Sequence, residues 1–325
     1  MYFVKVNKLR FKATVLEKYN EPLVIKEIEA QLQNNEVAIK VKATGICGMD
    51  IVIWRGGFRN LTPPLVLGHE IFGELEEKPV GIYSIINCGR CKYCVSGKEN
   101  LCLNSQFLGM AKFGGFAEYV IVPRDNIFQL PDKEYVKYAA TVEPLATSIH
   151  AVKLALVEKG KTILVTGAGG GVGIHMIQYL KYLGARVVSI TSESKKEAVK
   201  RYSDEVITEK DFSRYIKDVD VVMELVGSET INESLRALSR EGILVLVGNV
   251  TDSEITLKRP ALTILREQRI IGSASYTRKE VDEAIKLIRN NVVKAIYKEY
   301  EFESTNEAIT DLLHNKILGR AVLII

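Results

Sequence analysis

The sequence predicts an α/β protein in two parts, a β-rich domain and a doubly wound domain built on a parallel sheet. Three observations carry that expectation. Strand-like segments dominate the amino-terminal part. From Thr162 onward, short apolar runs alternate with amphipathic stretches. A cluster of glycines sits where the first of these runs meets the helix after it. A chain of 325 residues is also too long for one ordinary hydrophobic core, so two domains are expected.

Taken in order, residues 13–16, 37–41 and 116–122 have strand composition and are bounded by Gly, Asn and Pro. Residues 162–166 form a short apolar run. A helical stretch lies around Ile177 to Leu183, and a second apolar run follows at 186–190. Runs at 219–223 and 243–247 continue the series. Alternation of this kind predicts parallel strands covered on both faces. Residues 281–290 read as one more helix, leading to strands near Tyr297 and at 321–324. The pattern changes near Glu143, without a repeat or a low-complexity linker to mark the boundary.

Composition narrows the classes. Hydrophobic residues at 47% and charged residues at 26% give the balance of a globular protein. The net charge of +4 is small, and no basic run is interleaved with aromatics, so no nucleic-acid partner is expected. Residues 1–8 have no apolar h-region and no small-residue cleavage site. No stretch approaches the roughly twenty apolar residues of a membrane span. A cytoplasmic location without membrane attachment is the expectation. Of the five cysteines, four fall between Cys88 and Cys102, which argues for metal rather than a disulfide framework.

Cys88-x2-Cys91-x2-Cys94-x7-Cys102 is the strongest local signal. Four thiolates from one loop can close a tetrahedral shell around zinc. Gly89 and Gly97 supply the tight turns such a loop needs. A ferredoxin-type cluster would end with a shorter gap and a Pro after the last Cys, and neither is present. A closed shell has no open position, so this metal would be structural. A second set is Cys47 in Gly45-Ile46-Cys47-Gly48-Met49-Asp50, His69 in Gly68-His69-Glu70, and Glu143 in Thr141-Val142-Glu143-Pro144-Leu145. Three ligands of mixed S, N and O type with one open position suit a catalytic zinc. By spacing alone, a small buried thiol and a hydrogen-bonded core histidine stay open as readings.

The run 162–166 leads into Gly167-Ala168-Gly169-Gly170-Gly171-Val172-Gly173, and a helix follows. Aligned on its end the motif reads Ala168-x-Gly170-x-x-Gly173. Between a strand and a helix, such a turn lets backbone N–H groups approach a pyrophosphate. A dinucleotide that is NAD usually meets an acid at the end of the next strand. Thr191 and Ser192 stand there instead, with Lys195 and Lys196 beyond them. Small hydroxyls and nearby cations suit a 2′-phosphate, so NADP(H) is favoured over NAD(H), although Glu193 counts against it.

Together these pieces resemble the medium-chain, zinc-containing alcohol dehydrogenase family over nearly the whole chain. The resemblance implies a GroES-like catalytic domain over 1–143 and 274–325, split by an inserted Rossmann dinucleotide-binding domain over 144–273, with the substrate in the cleft between them. Cys47 and His69 match the first two catalytic-zinc ligands. Glu143 matches the third ligand of the polyol and threonine dehydrogenase branch. Asp50 matches an acid that orients the zinc-bound histidine, and Glu70 an acidic neighbour that helps exchange at the metal. Cys88, Cys91, Cys94 and Cys102 match the structural-zinc lobe. Thr147 matches a threonine against the nicotinamide ring. Gly167, Gly170, Val172, Gly173, Thr191, Ser192, Lys195, Lys196, Val226, Gly248 and Ser273 complete the implied cofactor contacts. A small-molecule substrate and a homo-oligomer, dimer or tetramer, are implied as well.

Two departures from the family pattern stand out. Met49 occupies the position where a Ser or Thr usually begins a proton relay, and it cannot shuttle a proton. The stretch from His69 to Cys88 is short and lacks the usual Gly-Asp-x-Val, which implies a trimmed loop or hairpin. The expected reaction is hydride transfer between a primary or secondary alcohol, or its aldehyde or ketone, and NAD(P). Gly170-Gly171-Val172-Gly173-Ile174-His175 and Val247-Gly248-Asn249-Val250 also resemble the enoyl and quinone reductase branch that includes acryloyl-CoA reductases. Reduction of an enoyl thioester or quinone with NADPH therefore stays open, as does a non-enzymatic NADPH-binding protein. Trp54 and Phe107 are candidate pocket walls, or core.

Overall fold

The computed structural model describes residues 8–249 and 253–325. Most of the amino-terminal stretch read for a leader, and Val250, lie outside the described residues. The chain forms two compact units. The first comprises Met1–Ala140, Lys298–Lys316 and Ala321–Ile325, and the second Thr141–Tyr297 and Ile317–Arg320. Among the described residues no helix is long and apolar enough to cross a membrane.

In the first unit the strand Glu36–Ile46 organises a seven-stranded sheet. It pairs with Tyr119–Pro123 along its first half, then with Glu70–Leu75 and Arg320–Ile324 along its second. Its inward residues Val37, Ile39 and Val41 pack with Ile71, Val80, Ile82, Leu108, Val120 and Val122. This alternation is the period-2 pattern visible in the sequence. The Glu70–Leu75 strand turns into Lys78–Ile82 through Glu76 and Glu77, both at positive φ, with Leu75 opposite Lys78. A two-residue turn of that kind is the shortest hairpin connection. A smaller sheet joins Val24–Gln31, Lys8–Leu16 and Leu65–Val66.

The second unit holds a six-stranded parallel sheet. Its strands are β1 (Thr162–Val165), β2 (Arg186–Ile190), β3 (Glu205–Ile207), β4 (Val219–Glu224), β5 (Leu238–Leu246) and β6 (Arg269–Gly272). Their order is 3-2-1-4-5-6. Leu164, Val188, Ile207, Val222 and Leu244 pack with Phe212 and Leu235, which explains the near-continuous apolar runs. The order reverses beside β1, where a doubly wound sheet opens a crevice at the carboxyl ends of its strands.

The helix Tyr135–Leu154 runs through Pro144, which cannot donate to the carbonyl of Ala140. Burial of Tyr138, Val142, Leu145, Ile149 and Val152 holds it together across that gap. The division between the compact units falls inside this helix, after Ala140. The sequence-based boundaries are 143/144 and 273/274. In the structure the helix Arg278–Arg289 belongs to the second unit, where Glu280 Oε2 lies 3.0 Å from His150 Nδ1.

Candidate functional site

The four cysteines of the loop meet as their spacing predicts. One sulfur from each of Cys88, Cys91, Cys94 and Cys102 lies within 4.8 Å of the others. The Cys88–Cys94 and Cys91–Cys94 sulfurs are 4.0 and 3.5 Å apart. A tetrahedron with Zn–S bonds of about 2.3 Å has sulfurs about 3.8 Å apart, so the spacing fits zinc. Backbone N–H groups reinforce the fit. Those of Cys94 and Leu103 point at the Cys91 sulfur and bring its thiol down to about 6. Those of Arg90 and Cys91 lower Cys88. Cys94 is pushed up to about 12 by burial and by the neighbouring Cys102 and Cys91 sulfurs. A divalent cation is what would let all four ionise together. Gly89 and Gly97 turn the loop at φ +71° and +70°.

The second cluster is built on the floor of the same unit. Cys47 ends the Glu36–Ile46 strand and begins the helix Gly48–Trp54. His69 precedes the strand Glu70–Leu75. Ligand atoms of Cys47, His69 and Glu70 lie within 4.8 Å of one another. Asp50 ties the two segments together. Its Oδ2 accepts from the Cys47 N–H at 2.7 Å, and its Oδ1 accepts from the Gly68 N–H at 3.2 Å. The same Oδ1 lies 3.4 Å from His69 Nδ1, with both side chains 1% exposed. Facing Nδ1 toward a carboxylate presents Nε2 to a metal and raises its basicity. Gly45 makes room for Glu70: a Cβ there would sit 1.9 Å from Glu70 Oε2 and 2.7 Å from the Ala139 carbonyl. The soft and borderline donor set of thiolate, imidazole and carboxylate is one that zinc accepts. Glu143 is buried on the helix Tyr135–Leu154 and belongs to the second unit. Met49 is half-buried on the helix Gly48–Trp54.

At the carboxyl end of β1 the glycine turn has the geometry that close approach needs. Gly170 caps the helix Gly171–Tyr182 and donates to the Gly167 carbonyl at 2.9 Å. A Cβ on Gly173 would lie 2.4 Å from that same carbonyl, so no larger residue fits. Val172 is half-buried on the first turn. The stem of Lys195 and the Thr191 hydroxyl both crowd Gly169, at 2.7 and 2.8 Å from where its Cβ would be. Thr191 therefore stands beside the turn and Ser192 follows it, with no acid in their place, while Lys195, 7% exposed, is brought down to about 8 by burial. Lys196 instead pairs with Glu193, which also accepts from Thr208.

Residues 33–132 match the alcohol dehydrogenase GroES-like domain family, and residues 171–290 match the zinc-binding dehydrogenase family. The chain is 33% identical to an acryloyl-coenzyme A reductase of Metallosphaera sedula, covering 88% of this chain and 91% of that one. The chain belongs to the medium-chain zinc-containing alcohol dehydrogenase family. It is also 32% identical to an alcohol dehydrogenase of Geobacillus stearothermophilus, over 96% of this chain and 99% of that one. Among solved structures it is similar to acetophenone reductase from Geotrichum candidum in complex with NAD, with a TM-score of 0.90, 27% identity and 97% of each chain covered.

Two residues near the carboxyl ends of β1 and β4 carry no motif and escape a sequence reading. Arg320 is 5% exposed, and a Cβ on Gly171 would lie 2.7 Å from its Cζ. Gly319 beside it donates to the Gly169 carbonyl at 3.0 Å. The guanidinium thus lies against the first turn of a helix, where a cation is unfavourable unless an anion joins it. Glu224 ends β4 fully buried. Its Oε1 accepts from the Thr166 and Thr230 hydroxyls and the N–H groups of Val226 and Gly227, at 2.6 to 3.1 Å, and its Oε2 accepts from Ser234. That carboxylate shapes the loop holding Val226. Gly248 and Ser273 follow β5 and β6, with Gly248 close against the Leu225 carbonyl and Ser273 donating to that of Leu246. Thr147 is half-buried on the helix Tyr135–Leu154.

Proposed function

We propose that this dehydrogenase transfers a hydride between a primary or secondary alcohol, or its aldehyde or ketone, and NAD(P), with NADP(H) preferred. The observation that carries the reading is the buried clamp of Asp50 on both Cys47 and His69. Held by Cys47, His69 and Glu143, zinc would act as a Lewis acid toward the substrate oxygen. Asp50 fixes the tautomer and direction of His69. Glu70, kept beside Cys47 and His69 by Gly45, would offer a further carboxylate to a metal held there. Cys88, Cys91, Cys94 and Cys102 would hold the second, structural zinc.

The glycine turn 167–173 and the N-terminus of the helix Gly171–Tyr182 receive the pyrophosphate, with Arg320 adding charge. Thr191, Ser192 and Lys195 receive the 2′-phosphate, while Lys196 is engaged by Glu193. Thr147, Val226, Gly248 and Ser273 complete the contacts with the cofactor. The expected catalytic domain, 1–143 and 274–325, is in this reading confined on its carboxyl-terminal side mainly to the chain after Tyr297, and the dinucleotide domain extends from 144–273 through the helix Arg278–Arg289. A cytoplasmic location and a homo-oligomer accompany this reading, and light scattering of the purified protein would measure the oligomer. Met49 cannot take a proton, so the proton leaves without the usual hydroxyl relay.

Cys47→Ser with metal analysis tests the proposal. The variant should lose about one zinc per chain together with turnover, and full activity without that metal would defeat it. A second reading is reduction of an enoyl thioester with NADPH. It is favoured by Met49 and by the similarity to the acryloyl-coenzyme A reductase. Enoyl turnover that survives removal of zinc would support it.

A further inference from the structure

The four-cysteine loop and the His69 cluster share a mechanical part. The loop leaves and returns through a two-stranded ribbon in which Ile85 pairs with Phe107 and Ile86 with Gln106. Cys88 follows this ribbon by two residues, and Cys102 precedes it by four. At the ribbon's other end the Phe107 ring packs on the His69 imidazole, with centroids 5.2 Å apart and planes tilted by 57°. The chain after Phe107 is then stitched to the segment that carries His69. Gly114 donates to Val66, Phe116 to Leu67 and Gly115 to Gly68, each at 2.8 to 2.9 Å.

Two residues per strand make a ribbon too short to persist on its own. Its ends are held by Leu108, fully buried and donating to the Ser84 carbonyl, and by the Cys88 N–H on the Cys102 sulfur. A metal held by Cys88 and Cys102 would close the neck of the loop and so would restrain where Phe107 stands. His69 has Asp50 beside its Nδ1 and the tilted Phe107 ring against the imidazole, so the two neighbours together constrain the ring.

We infer that Phe107 is a positioning residue that couples metal occupancy of the four-cysteine loop to metal affinity at Cys47 and His69. The inference rests on the proposed metal role of Cys47 and His69. Its test is a cobalt titration of the full chain with zinc retained in the loop, read by the visible d–d bands and by the dissociation constant. Phe107→Ala should weaken cobalt binding by about tenfold, the lower end of the range for residues that orient metal ligands, and shift the bands. Phe107→Leu should lie between it and the unaltered protein. Cys91→Ser, which empties the loop, should weaken cobalt binding in the parent protein and much less in the Phe107→Ala background.

Unchanged affinity and bands in Phe107→Ala would overturn the coupling. So would a Cys91→Ser effect of equal size in both backgrounds, which is what general unfolding would give. If Cys91→Ser does not fold, Cys102→Ser in the same two backgrounds makes the comparison, and the graded series from Phe through Leu to Ala tests the positioning step separately. A parent protein that binds one metal per chain and no cobalt at a second site would instead remove the metal reading of Cys47 and His69, an outcome distinct from lost coupling.

Discussion

Gly45 decides whether the Glu70 carboxylate can stand beside Cys47 and His69. A methyl group there collides with Glu70 Oε2 and with the Ala139 carbonyl, and neither the strand nor the helix can retreat cheaply. Gly45→Ala should cost about 1–3 kcal/mol in chemical denaturation, the range for overpacking a filled core. Asp50 makes a different claim. Asp50→Asn keeps the shape but brings an amide where two N–H groups and His69 require an acceptor. Zinc affinity at the second cluster should fall 10- to 100-fold on the basis of roughly typical outer-partner losses, as measured by chelator competition. The residue types at 45, 47, 50 and 69 are legible in the sequence because they sit in short motifs. The place of the Glu70 carboxylate over Gly45 is not, because it depends on pairing between strands 25 residues apart. Arg320 reaches the glycine turn only through the folded path of the chain, so no local spacing announces it.

Elements divide by how much apolar pattern they carry. The four strands β1, β2, β4 and β5 read plainly from apolar runs, and the helix Arg278–Arg289 from its amphipathic face. The strand Val24–Gln31 is not legible, since its outward-facing sequence Val-Ile-Lys-Glu-Ile-Glu-Ala-Gln buries no residue fully. The helix Tyr135–Leu154 is hidden by Pro144, a local breaker that tertiary burial overrides. The helix Gly171–Tyr182 carries a testable pH dependence. Its His175 is fully buried, 2.6 Å from the Gly171 carbonyl through Nδ1, and accepts the Ile296 N–H through Nε2. That pairing demands the neutral ring, and burial, aided by Arg320, brings its pKa down to about 4. The unfolded chain binds this proton below about pH 6.5 and the folded chain does not. Stability from this residue is therefore full above about pH 6.5 and is lost as pH falls toward about 4, by roughly 3 kcal/mol. Denaturation midpoints across that window should show the slope in the parent protein and a reduced slope in His175→Gln.

At the scale of the molecule, the two kinds of site lie in different compact units, with the cysteine and histidine clusters in one and the glycine turn in the other. Alternating apolar runs foretell a parallel sheet, but its order 3-2-1-4-5-6 emerges only when non-local pairing is known. Family membership likewise leaves the substrate open, because relatives named for alcohols and for acryloyl-coenzyme A are about equally similar. The most direct test is a turnover assay of a panel of alcohols, their aldehydes and enoyl thioesters with NADP(H), before and after removal of zinc by a chelator. The account predicts turnover of alcohols and aldehydes that disappears with the metal and returns when zinc is restored. Turnover confined to enoyl thioesters and unchanged by chelation would contradict it.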